Sequence, residues 1–157
     1  IAQCLVGSEM CIRDRLIASG KKAMVITDGS NAIENAYCAD FWNYHMFRVI
    51  SESMNKPVAP GTMGLLIDKN DKLLSAFPCE KFTTPQWYEA VTHSKADILD
   101  DTPDVTPIVQ VVDNTERCHR LGMLYKKNGI LHCSIRLWEA ADVSEIKQLA
   151  KSITENF

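Results

Sequence analysis

The sequence is short of the features that usually announce a site. Only seven of its 157 residues are glycine. None of them flanks a cysteine or serine as G-x-C-x-G or G-x-S-x-G, the strained strand-to-helix turn that presents a nucleophile. "PGTMG" (Pro60 to Gly64) lacks the Lys-Ser/Thr pair of a phosphate-binding loop. Six cysteines are present, but no two stand as CxxC and none clusters tightly with histidine. Neither a zinc site nor a disulfide framework is indicated. No apolar run approaches the roughly 18 residues of a membrane span. The net charge is −3, so there is no basic surplus for nucleic acid or for an anionic membrane. The composition predicts no cofactor and no metal.

What is there is an ordinary core. Apolar residues make up 46% and charged residues 24% of the chain, enough for one domain of this length. "KAMVIT" (Lys22 to Thr27) reads as a buried strand, and a helical pattern runs from Ser30 to Met54. Met63 to Ile67 reads as a second strand and "KLLSAF" as a short helix or turn. "TTPQWYEAVTHS" begins a helix, with Thr84 as N-cap and Pro85 at the first helical position. "ADIL" reads as a strand. Ile108 to Asp113 is β-branched and central. Lys127-Asn128-Gly129 between two apolar runs is a hairpin turn. The closing segment from Ala140 is an amphipathic helix with Val143, Ile146, Leu149, Ala150 and Ile153 as its apolar stripe and Asp142 or Ser144 as cap. Strands alternating with helices predict a layered α/β domain with a mostly parallel sheet, an antiparallel C-terminal hairpin and a closing helix.

The opening residues differ from the rest. Glu9, Arg13 and Asp14 interrupt any apolar run, so residues 1–15 do not have the order of a signal peptide. "LVGSEMCIRD" (Leu5 to Asp14) instead resembles the conceptual translation of a transposase sequencing adapter. Residues 1–14 are then expected to be non-native, and residues 15–157 to be one α/β domain from the C-terminal part of a longer protein. Ser8, Glu9 and Gly20 could still bound a helix over about residues 9–19.

Candidate chemistry is scattered. Cys133 sits in a strand and reads as a small core residue, and Cys38 lies on a predicted helix. His45, His93, His119 and His132 share no spacing. Asp97, Asp100, Asp101 and Asp104 read as a solvated acidic loop, without the glycine and terminal glutamate of a calcium loop. Glu80, Glu89 and Glu116 form no recognisable acid–nucleophile pair. Trp42, Trp87 and Tyr88 could stack on a sugar ring, against the alternative of core packing.

Four segments carry a resemblance over about residues 20–157. They are "FWNYHMFRVISES", "PGTMGLLID", "FPCEKFTTPQWYEAVTHSKADILDD" and "DVTPIVQVVDNTERCHRLGMLYKKNGILHCSI". Together they resemble the C-terminal region of large bacterial family-two, β-galactosidase-like glycoside hydrolases that carry a sugar-binding jelly-roll domain. The resemblance implies a flavodoxin-like accessory domain, similar to class I glutamine amidotransferases and to the β-galactosidase trimerisation domain, without the amidotransferase triad. It implies a parent acting on a β-glycoside, periplasmic or secreted, with upstream domains of the same chain as partners and room for a homo-oligomer. The parent's catalytic glutamates belong to a barrel domain outside the matching segments, so no catalytic residue carries over. Two other readings stand beside this accessory role. One is a carbohydrate-binding module using Trp42, Trp87 or Tyr88. The other is an amidotransferase-like enzyme using Cys38 or Cys133 with a histidine.

Overall fold

A computed structural model describes residues 15, 18–27, 53–55, 64–91, 94–100, 102–112 and 120–157. The expected helix from Ser30 to Met54 falls almost wholly outside these residues, as do Trp42, Cys38, His45, His93 and His119. Near the start, Arg15 and Ala18 are helical, and Gly20 follows at φ 71°. That positive φ is the usual helix-ending conformation.

Six strands form one sheet: β1 (Met24–Ile26), β2 (Leu65–Ile67), β3 (Asp97–Ile98), β4 (Val105–Val111), β5 (Leu121–Lys127) and β6 (Ile130–Cys133). Their order is β1-β6-β5-β4-β2, with β3 also paired to β5. Among these strands only β1 and β6 are parallel; the β2/β4, β3/β5, β4/β5 and β5/β6 pairs are all antiparallel. The expected mostly parallel, flavodoxin-like α/β sheet is therefore not what forms. The reason lies in the connections. A parallel crossover takes a dozen or more residues, usually a helix. The helices described between β2 and β4 are two single-turn 3-10 helices (Lys72–Leu74 and Pro85–Trp87) and the four-residue α1 (Tyr88–Val91). None of these is long enough to carry the chain back along the sheet.

The antiparallel centre follows the sequence more closely. Asn128 and Gly129 sit at φ 51° and 75°, the paired positive φ values of a type I′ hairpin turn. They join β5 to β6 in register, Lys127 opposite Ile130 and Leu124 opposite Cys133. β5 is buried without interruption from Leu121 to Tyr125, as expected of a strand covered on both faces. In β4, Pro107 cannot donate to the ladder, and the register shifts between Pro107 and Val109. β2 pairs β4 only beyond that point, at Val109 to Val111.

The closing helix α2 (Ser144–Asn156) buries Ile146, Leu149, Ser152 and Ile153 against the core. Val143 and Ala150 pack at its margin. Its N-cap position is Val143 and makes no side-chain cap bond. Ser144 Oγ bonds Glu145 instead, at 2.6 Å. Packing of the apolar stripe, rather than a cap, thus holds this helix. A polar clamp fixes its register. Ser152 Oγ donates to Leu73 O (2.8 Å) and accepts from Ala76 N–H (3.1 Å), and Gln148 Nε2 donates to Ala76 O (2.9 Å). Asp71 caps the 3-10 turn through Leu73 N–H at 3.0 Å.

Thr84 stands at the N-cap position ahead of Pro85, as expected, but its hydroxyl makes no cap bond. Trp87 is wholly buried and meets Phe77 edge-on, ring centroids 5.0 Å apart. Among the described residues no helix is long and apolar enough to cross a membrane.

Candidate functional site: a cleft where the sheet divides

One edge of β5 is shared by two strands laid end to end. β6 pairs Leu124 to Lys127, and β3 pairs Leu121 and Gly122. At the junction Ser134, just past β6, donates its N–H to Met123 O at 2.8 Å. The chain then turns away and β3 takes over the edge. Gly122 permits the close approach of β3: a Cβ there would stand 2.5 Å from Leu99 Cδ1 and 3.0 Å from Tyr125 Cδ1. β1 ends at the same place, with Thr27 N–H donating to Cys133 O at 2.9 Å.

Asp97 is the first residue of β3 and is buried, 4% exposed. It is not part of a solvated acidic loop. Its Oδ2 accepts from Thr27 Oγ1 (2.8 Å) and from the Tyr125 hydroxyl (3.1 Å). One carboxylate oxygen therefore ties β1, β3 and β5 together. Burial, then the charge of Asp97 and its hydrogen bond, push the Tyr125 phenol well above its ordinary value. The Tyr125 ring stacks on His132, centroids 4.9 Å apart and nearly parallel.

Cys133, next along β6, is 1% exposed. Burial pushes its thiol up to about 12. A nucleophilic cysteine needs the opposite, an accessible and electropositive setting that favours thiolate.

Beside this junction opens a cleft of ≈ 520 Å³. Cys133, Ser134, Ile135 and Leu137 line it and are buried. Ile26 and Trp138 line it and are exposed, Trp138 at 47%. Lys95, Arg136 and Glu139 bring charge to it, and Arg136 pairs with Glu139. The segment after β6 is held from below by Ser94, which is fully buried. Ser94 Oγ donates to Ala90 O (2.8 Å) and accepts from Arg136 N–H (3.1 Å).

The expected aromatic platforms lie elsewhere. Trp87 is core and offers no ring to a ligand. Tyr88 is half-exposed but does not line the cleft. Trp42 lies outside the described residues. The residue that sequence reasoning passed over is Trp138. It stands in "IRLWEAAD", after the last strand and before α2, in an irregular segment. A lone tryptophan between charged residues in a connection was the available signal, because connections more often carry contact residues than core. Among the described residues no three His, Cys, Asp or Glu side chains are grouped to hold a metal.

Residues 12–156 match the profile of a domain of unknown function, DUF8487, and the chain belongs to that family. No curated protein matches the chain.

Proposed function

We propose that this chain is a non-catalytic accessory domain of a β-galactosidase-like glycoside hydrolase, leaving hydrolysis of the β-glycoside to upstream domains of the same parent. The observation that carries the reading is how the reactive groups at the divided edge are used. Asp97 spends one oxygen on two hydroxyls from neighbouring strands. Tyr125 is that oxygen's donor, and the Cys133 thiol is kept protonated by burial. Asp97 and Tyr125 hold the division of the sheet in place, and a buried, protonated Cys133 thiol is poorly suited to nucleophilic work. The order of the resembling segments supports the choice of parent.

The test is an assay of the purified chain on nitrophenyl β-galactoside, β-glucuronide, β-glucoside and β-mannoside, and on glutamine. No turnover above background is expected. Turnover that survives repurification and is abolished by Cys133→Ala or Asp97→Asn would overturn the reading. A second reading, carbohydrate binding, is favoured by one observation: Trp138 is half-exposed at the rim of a cleft with mixed apolar and charged walls.

A further inference from the structure

We propose that the outer edge of β1 is a self-association surface, on which β1 of a second copy of this chain adds antiparallel and joins two sheets into one. The inference stands apart from the choice of parent enzyme and from the cleft.

The two ends of the sheet are finished differently. β2 ends the strand order on one side. Its outer edge is taken by the chain itself: Leu66 bridges Phe82, and Ile67 N–H donates to Lys81 O at 3.0 Å. β1 ends the order on the other side. Its inner groups meet β6, with Ala23 O accepting from Leu131 N–H (3.1 Å) and Thr27 N–H donating to Cys133 O (2.9 Å). Successive residues of a strand turn their ladder groups to alternate sides, so Ala23, Val25 and Thr27 face β6. Met24 and Ile26 then hold their N–H and C=O groups outward, where no described residue pairs with them.

A bare edge of this kind is a template for another strand, and native edges are commonly blunted by lysine, proline or a bulge. Met24-Val25-Ile26 has none of these. Met24 packs against the core. Ile26, two residues on and so on the same face, is 50% exposed.

The strand complements itself, and this points to a second copy rather than an unrelated chain. Laid antiparallel about Val25, the stretch "KAMVITD" reads Lys against Asp, Ala against Thr, Met against Ile and Val against Val. In parallel register like charges meet instead, which is unfavourable. The outward-facing pairs are Met24 of one copy with Ile26 of the other, twice over, and each such pair exchanges two N–H···O bonds. The exposed Ile26 of each copy is covered by Met24 of the other. A two-fold axis at Val25 relates the halves, the self-complementary form of a closed dimer. In the single chain the Lys22 ammonium rests at the surface on Phe157 O (2.7 Å); the pairing is carried by backbone groups and does not need that ammonium. The strand is three residues long, so the dimer is a weak one.

The experiment uses the intact chain in sedimentation velocity, with amide exchange followed by NMR. A monomer at about 5 µM and a dimer at about 500 µM are expected, as for a small interface. The Met24 and Ile26 amides should exchange freely in dilute solution and slow by about tenfold or more in concentrated solution, while the Val25 amide stays protected in both. Ile26→Pro removes only an outward N–H, a place where edge strands tolerate proline. Ile26→Lys puts a charge on the edge. Each should abolish the dimer with an unchanged melting profile, and if Ile26→Pro disturbs the fold, Ile26→Lys decides alone. Leu66→Lys, at the closed β2 edge, should dimerise as the parent chain does. A chain that stays monomeric in concentrated solution, or a dimer that survives both Ile26 variants, would overturn the assignment. So would a dimer lost in Leu66→Lys. Met24 and Ile26 amides already protected in dilute solution would overturn it too, because the chain's own residues would then cover the edge.

Discussion

Two ends of the molecule bury their residues to a similar degree and reach different outcomes. On the helix side, α2 lies over the 3-10 turn, and Ile146, Leu149, Ile153, Leu73 and Phe77 close on one another. The polar clamp there is complete: Ser152 both donates and accepts, and Gln148 takes the next carbonyl. At the divided edge, Asp97, Tyr125 and Cys133 are also buried, but Cys133 lines a cleft with an exposed tryptophan on its rim. In one place burial ends in a sealed contact. In the other it ends in a shaped surface. A sealed contact contributes stability alone, whereas a rigid polar junction under an open cleft fixes the position of whatever stands on the rim.

The largest effect should come from the sealed side. Leu149 is fully buried on α2. Leu149→Ala removes packing that the turn cannot refill, and it should cost about 2–5 kcal/mol in urea or thermal unfolding. A loss well under 1 kcal/mol would mean that α2 is a loosely held appendage and would erase the contrast between the two ends.

A smaller loss should come from the divided edge. Gly122→Ala places a Cβ against Leu99 and Tyr125. Leu99 is buried, so it has little room to yield. Overpacking of this kind costs about 1–3 kcal/mol. Because Tyr125 moves with it, the Tyr125–His132 stack should be disturbed as well. A chain that tolerates Gly122→Ala without a shift in the His132 ring resonances would show that the close approach of β3 is not a constraint.

These two ends were not equally legible in the sequence. The closing helix was, because its apolar stripe repeats at the helical period and needs no knowledge of its partner. The hairpin was, because Asn128-Gly129 encodes positive φ at both positions. Strand direction was not. A short apolar run such as "LLI" or "MVI" carries no mark of its neighbour, and alternation of strands with helices does not by itself fix parallel pairing. The divided edge was hidden for a related reason. Asp97 lies in an acidic stretch that reads as solvated, and only the meeting of β1, β3 and β5 makes it a buried acceptor. Trp138 stands outside the apolar segments that drew the expected aromatic platforms, and in those segments Trp87 proves to be core.

The smallest effect, taken per pH unit, is a slope, and it separates the two ends most cleanly. The Cys133 thiol has an ordinary value of 9.0 and is pushed up to about 12 by burial. Between those values the folded chain keeps a proton that the unfolded chain releases. Unfolding then gives up a proton, so stability is full below about pH 9 and falls as pH rises, by roughly 1 kcal/mol per pH unit. Tyr125, also raised, adds a loss of the same sign above about pH 10. Cys79, raised by its partial burial, acts in the same direction but is only half-buried. Urea unfolding at about pH 8, 9, 10 and 11 should show this decline. Cys133→Ala should make the slope shallower, whereas Leu149→Ala should lower the whole line and leave its slope unchanged. If Cys133→Ala declines as steeply as the parent chain, the thiol is not held protonated at the divided edge, and the assignment of that edge as a fixed, non-nucleophilic junction fails.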